Sequence, residues 1–197
     1  MTGAKTRERV IDAALVAYGT KGYDATSLDA LAAELGVRKQ TILYYFPSKD
    51  ALLDAAIDRG AEELSAALEG ALASAGPGWD RVEAVVRSVF QLAGRRPELL
   101  GLLREVSRLG PPPATRLTAR LDPLIARATS FLELEMQGGA MRVQEPRLLL
   151  LAAYSAVIGV ATEVEVLRAL GFEPTARSLV RRRRELLGFL RSALVAG

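Results

Sequence analysis

The stretch Leu28-Asp-Ala-Leu-Ala-Ala-Glu-Leu-Gly36-Val-Arg-Lys-Gln-Thr-Ile42-Leu-Tyr-Tyr-Phe-Pro47 limits the possible fold more than any other part of the chain. Ala32 is small enough to let two helices touch. Gly36 can take the left-handed conformation that ends the first of them. Ile42 returns to the same contact from the second helix. The spacing predicts a helix-turn-helix. Many α-proteins contain such a pair without touching nucleic acid, so the spacing alone fixes geometry, not role. The surface chemistry adds the role. No acidic residue occurs from Gly36 to Ser48, while Arg38, Lys39 and Lys49 are basic. Gln40 and Thr41 are neutral hydrogen-bonding groups, and Tyr44 and Tyr45 are aromatic. Such a face suits phosphates and base edges. The second helix of the pair is predicted to lie in the major groove of DNA.

The rest of the composition narrows the alternatives. At 197 residues the chain can build a sizeable core in one or two domains. Its net charge of +3 argues against a uniform coat on nucleic acid and for a local basic patch. It has no cysteine and no histidine, which removes disulfides, thiolate and imidazole chemistry and most zinc sites. No metal and no cofactor are expected. The pairs Glu133/Glu135 and Glu163/Glu165 lie two apart, on different faces of a helix, so they suggest no enzyme. The N-terminus lacks the apolar region of a secretory signal. The longest apolar run, Leu148 to Ala161, is shorter than the ~20 residues of a membrane span. The expectation is a cytoplasmic protein with no membrane partner.

Helical periodicity dominates, giving an all-α prediction of about nine helices. The first starts with Thr6 as N-cap and ends near Gly22; the second is capped by Thr26 or Ser27; the third runs from about Arg38 to Tyr45. Pro47 prevents its smooth continuation, and Ser48 caps a fourth helix reaching about Ala75. Further helices are expected over Trp79–Ala93, Pro97–Leu109, Ala114–Gln137 with a possible kink at Pro123, Pro146–Leu170 and Thr175–Val195. The predicted domains are a helix-turn-helix head at 1–47 and a helical body at 48–197. The fourth helix joins them without a flexible linker.

Four segments resemble the tetracycline-repressor (TetR) family of transcription regulators. They are Arg9-Val-Ile-Asp-Ala-Ala14, Lys21-Gly-Tyr-Asp-Ala-Thr-Ser-Leu28, Leu31-Ala-Ala-Glu-Leu-Gly-Val37 and Tyr44-Tyr-Phe-Pro-Ser-Lys-Asp-Ala-Leu-Leu53. The resemblance implies a homodimer, usually a repressor, that binds a palindromic operator and is released by a small molecule entering the body and shifting the fourth helix. It implies reading positions at Arg38, Lys39, Gln40 and Thr41. It implies phosphate contacts at Tyr44, Tyr45 and Lys49, with Thr26 and Ser27 where the second helix meets the DNA backbone. Leu43 departs from the tyrosine common in the family and can instead meet a thymine methyl or sugar edge. Gln40 replaces a common Gly or Pro and can pair with adenine.

Apart from the resemblance, Val37, Ile42 and Phe46 must face inward to give the head a core. The segment Leu148–Ala161 is apolar on all sides, as expected of a helix buried both in its own subunit and against a second chain. Ala152, Ala156 and Gly159 permit close approach there, and Leu179, Leu186 and Leu190 of the last helix repeat at similar spacing. A bundle from two subunits is predicted, with a central core helix in a monomer as the alternative. Arg181 to Arg184 wrap a full turn and are expected to be mostly solvated or paired with Glu. An apolar effector site is expected among Trp79, Val82, Phe90, Leu102, Phe131, Met136 and Tyr154, with Arg104 and Glu105 as candidate polar anchors. The effector's identity is open. The other functional reading is an all-helical protein-interaction module, which the basic face disfavours.

Overall fold

The computed structural model describes residues 3–195. Among them are ten helices: α1 Gly3–Lys21, α2 Leu28–Leu35, α3 Lys39–Tyr45, α4 Lys49–Ala73, α5 Trp79–Arg95, α6 Pro97–Leu109, α7 Pro113–Gln137, α8 Pro146–Thr162, α9 Val164–Ala169 and α10 Ala176–Leu194. The only strand-like feature among the described residues is an isolated antiparallel bridge between Met141 and Val195.

The predicted helix from Pro146 to Leu170 is two helices. Glu163, at ψ 70°, leaves the helical region between α8 and α9. β-branched Val164 and Val166, which fit a helix less well, follow the break. Thr6 is not a cap either. Ala4 and Lys5 are good helix formers, so α1 already includes Gly3 and carries Thr6 inside it. Helix α7 runs through Pro123.

The described chain packs as two compact units. One takes the chain up to Leu64 together with Arg96–Leu121; the other takes Ser65–Arg95 and the chain from Asp122 onward. The boundaries of these units fall inside α4 and α7.

In the first unit, α1 buries Val10, Ile11, Ala14, Leu15 and Tyr18. They share a core with Leu31, Ile42, Leu52 and Ile57, and with Leu99, Leu100, Leu102 and Val106 of α6. Each such aliphatic side chain contributes about 1.5–3 kcal/mol by burial. Helices α1 and α6 approach backbone to backbone. A Cβ on Gly19 would lie 1.9 Å from the Glu98 carbonyl oxygen, and one on Gly101 would lie 2.0 Å from that of Gly19. Ion pairs lie over this core. Arg59 joins Glu8 and Asp12 of α1, and Arg116 and Arg120 both donate to Asp58. Burial pushes the Asp58 carboxyl up, but the two guanidinium groups outweigh it and hold it below its ordinary value.

In the second unit, Leu132, Met136 and Met141 form a cluster against Val82, Phe131, Leu149 and Leu150. Helix α10 packs on α5 and α8 and buries Leu186, Leu190 and Leu194. Arg182 departs from the solvated arginines expected of this turn. It is only 7% exposed, because it lies on the buried face of α10, and its guanidinium donates to the Val160 carbonyl.

Candidate nucleic-acid interface

The helix-turn-helix is formed by α2 and α3. Gly22, at φ 87°, closes α1 and starts the turn into α2. Ser27 caps α2, its Oγ accepting from the Ala30 amide at 3.1 Å. Thr26 turns inward instead; it is buried, and its hydroxyl donates to the Gly22 carbonyl at 2.8 Å. Its hydroxyl is therefore committed to the turn, and Ser27 is the more exposed of the pair. At the other end of α2, Gly36 is left-handed (φ 66°, ψ 33°). The Val37 amide returns to the Ala32 carbonyl at 3.0 Å, closing the helix end. No atom lies within 4 Å of a Cβ built on Gly36, so backbone conformation, not space, calls for glycine there.

Helix α3 is anchored by Ile42, which is fully buried, and followed by buried Phe46. Arg38, Gln40 and Tyr44 are exposed, Tyr44 at 82%, while Lys39, Thr41, Leu43 and Tyr45 are half-buried. Arg38 is the N-cap residue but makes no side-chain cap bond, so its guanidinium is not used to end the helix. Lys39 pairs with Asp29 of α2 at 2.8 Å. The rings of Tyr44 and Tyr45 meet edge to face at 5.0 Å. Among the described residues, α3 thus presents cations, an amide and a phenol on one short element.

The start of α4 completes this edge. Ser48 Oγ accepts from the Ala51 amide at 3.0 Å, as expected of its cap role. The Lys49 ammonium lies 4.0 Å from the centroid of the Tyr23 ring. The Tyr23 hydroxyl donates to Asp50. Burial, reinforced by that bond, pushes the Tyr23 phenol above its ordinary value, so it stays a donor. Glu105 of α6 accepts from the Tyr23 amide at 2.6 Å, and Arg108 donates to both Glu105 and Asp24. The Arg108 bond, aided by the Tyr23 amide and opposed by burial, holds the Glu105 carboxyl below its ordinary value. Sequence reasoning missed the role of Tyr23, and it placed Glu105 as a polar anchor for the effector, whereas Glu105, 82 residues further on, accepts from the Tyr23 amide.

The predicted effector residues separate. Leu102 belongs to the first unit, where it packs over Gly60 and is 1% exposed. The others lie in the second unit. Phe90 is buried; Phe131 and Met136 are in the methionine cluster; Trp79 is half-buried under the Arg191 guanidinium; Tyr154 is 43% exposed. Glu105 is committed to Tyr23 and Arg108. A cleft of about 630 Å³ beside α10, lined by Phe172, Thr175, Arg177, Arg181 and Arg184 among others, contains none of the predicted effector residues.

The predicted interface residues also divide. Ala152 is exposed, and Ala156 and Gly159 are half-buried on α8, next to exposed Leu148 and Leu151. Leu186 and Leu190 are not free for a partner. They fill the interior of their own unit, at 6% and 4% exposure, because α10 turns that stripe onto α5 and α8. Leu179 packs near Gly94 of α5. Among the described residues, no cluster of acidic side chains could hold a metal ion, and no helix is long and apolar enough to cross a membrane.

Residues 10–56 match the family described as bacterial regulatory proteins, tetR family. The HTH-type transcriptional repressor KstR of Mycolicibacterium smegmatis is 32% identical over 93 residues, which are 47% of this chain and 46% of that protein. The match thus spans under half the length of that curated relative. A transcriptional-regulator structure from Saccharomonospora viridis, in complex with choline, superposes with a TM-score of 0.80 at 20% identity, over 98% of this chain and 100% of that one. AibR, in complex with isovaleryl coenzyme A and operator DNA, superposes with a TM-score of 0.77 at 18% identity, over 93% and 97% of the two chains. At these identities the solved structures speak for the fold, which is shared nearly end to end, while the sequence match covers the α1–α4 segment that carries the basic face. Residues 10–56, the segment that holds the helix-turn-helix, are thus similar to the tetR family of bacterial regulatory proteins, and the rest of the chain shares the fold of the solved regulators.

Proposed function

We propose that the protein is a ligand-responsive transcriptional repressor that binds a palindromic operator as a homodimer in the cytoplasm. The observation that carries this is the outer face of α3. Arg38, Gln40 and Tyr44 are exposed there, on a helix fixed from behind by Ile42 and Phe46. Arg38 and Lys39 suit guanine edges or phosphates, Gln40 suits adenine, and Leu43 suits an apolar base edge. Thr41, Tyr44, Tyr45, Ser27 and Lys49 supply backbone contacts. A reading helix of seven residues is too small for tight binding alone, which favours two copies on one operator. The functional division is a head at 1–47 and a regulatory body at 48–197.

The test is direct. The purified protein is expected to retard a fragment from upstream of its own gene, with affinity falling steeply from 50 to 200 mM salt, as binding to phosphates requires. Equal retardation of a scrambled fragment, or none at low salt, contradicts the reading.

The second copy is proposed to cover exposed Leu148, Leu151 and Ala152 and half-buried Gly159 on α8. A Cβ on Gly159 meets no atom within 4 Å in the protomer. Gly159→Leu is therefore expected to leave the subunit folded and to raise the monomer fraction in sedimentation. An unchanged dimer moves the interface elsewhere. For the effector, the second unit offers Trp79, Phe90, Phe131, Met136 and Tyr154. That mixture favours an apolar molecule. The ligands of the two structural neighbours, choline and isovaleryl coenzyme A, are chemically unlike each other, so the shared fold does not set the effector.

A further inference from the structure

Lys49 is in an unusual place for a lysine. It is the first residue of α4, where the helix dipole presents its positive end and disfavours a cation. Asp50 is its neighbour in sequence, yet the Lys49 ammonium is set on the face of the Tyr23 ring, 4.0 Å from its centroid. The Asp50 carboxylate is engaged by the Tyr23 hydroxyl. Tyr23 thus does two things. Its ring supports the cation without neutralising it, and its hydroxyl holds one oxygen of the carboxylate that follows Lys49 in sequence. The outcome is a positive charge held at a fixed place beside the N-terminus of α4.

Tyr23 is itself held from behind. Its ring packs on that of Tyr18 at 5.4 Å. Its amide donates to Glu105 at 2.6 Å, and Arg108 ties Glu105 to Asp24 of the same turn. All these residues belong to the first unit. We propose that Tyr23 is a positioning residue for a phosphate contact made by Lys49, and that Glu105 of α6 keeps Tyr23 in position. The proposal rests on the DNA-binding reading. It adds that α6, far along the chain from the helix-turn-helix, sets one of its contacts.

The experiment uses the full-length protein and, as probe, the duplex that it enriches from a random pool. Affinity is measured between 50 and 200 mM KCl. Lys49→Ala is expected to reduce the slope of log affinity on log salt by about 1.8, two contacts per dimer at ~0.9 each. Over that fourfold rise in salt the wild type then loses roughly tenfold more affinity than the variant. Tyr23→Leu is expected to reproduce the smaller slope although Lys49 is still present, and to add nothing in the Lys49→Ala background. Glu105→Ala shifts the slope in the same direction. A Tyr23 that is merely structural would lower affinity in both backgrounds with the slope intact, and that result overturns the assignment. If Tyr23→Leu does not fold, Tyr23→Phe decides. It keeps the ring but releases Asp50 toward Lys49, so unchanged affinity and slope there also overturn the proposal. Failure of the wild type to enrich any duplex would instead remove the DNA-binding reading, and this proposal with it.

Discussion

Gly101→Ala is expected to lower the melting temperature by about 6–12 °C, the consequence of roughly 3 kcal/mol in a chain of this size. The new Cβ would lie 2.0 Å from the Gly19 carbonyl oxygen and 2.9 Å from its carbonyl carbon. Overpacking a core costs ~1–3 kcal/mol when side chains can adjust. Here the obstacle is backbone on another helix, so α1 and α6 must separate, and the cost falls at the upper end. The separation would loosen buried Leu15, Leu99 and Leu102 together. Gly70→Ala gives the opposite sign. It lies within α4 with no atom within 4 Å of its Cβ, and alanine there is worth about +0.5–1 kcal/mol. Thermal melts followed by circular dichroism check both. Equal melting temperatures for wild type and Gly101→Ala would mean that the two helices do not cross so closely.

The second large effect is on binding. Arg38→Ala is expected to weaken binding to the enriched duplex between about 30-fold and about 25,000-fold. That range is ~1–3 kcal/mol in each of two half-sites. Stability should stay the same, because Arg38 is exposed and its side chain makes no cap bond. Lys39 behaves differently. It already pairs with Asp29 at 2.8 Å, an exposed ion pair of little stabilising value. Asp29→Asn releases that lysine and is expected to tighten binding, most visibly at low salt. Fluorescence anisotropy with labelled duplex checks both. A thermally intact Arg38→Ala with wild-type affinity would remove Arg38 from the interface.

The contrast between Arg38 and Lys39 shows what the sequence could and could not reveal. Local chemistry was legible. Ser27 and Ser48 cap their helices, Gly36 is left-handed, and Ile42 and Phe46 face inward. These depend on residues a few positions apart, where short-range sterics and hydrogen bonds decide. The inward turn of Thr26 was local too, but hung on which of two hydrogen-bonding choices won. Long-range pairings left no trace. Nothing near Gly101 points to Gly19, and nothing near Glu105 points to Tyr23. Leu186 and Leu190 illustrate the same limit for surfaces. Their spacing marks an apolar stripe, but only tertiary packing says whether the stripe meets its own subunit or another. It meets its own.

These pairings also bear on how the protein works. The close crossing of α1 and α6, the Glu105 bond to Tyr23 and the Arg108 bridge to Asp24 make α6 part of the unit that carries the helix-turn-helix. Fusing a truncated head, residues 1–47 alone, would leave the α1 apolar face without Leu99, Leu100 and Val106. The unit that carries the helix-turn-helix is therefore built from two distant stretches of sequence.

The most direct measurement of the central claim is enrichment of duplexes from a randomised pool by the wild-type protein and by Gln40→Ala, followed by sequencing. The wild type is expected to yield a semi-palindromic consensus with half-sites one DNA turn apart, ~34–36 Å, or a multiple of it. Gln40→Ala is expected to relax the preference at one base pair in each half-site, symmetrically. No consensus for the wild type, or the same consensus at every position for both proteins, would contradict the claim that the outer face of α3 reads DNA sequence.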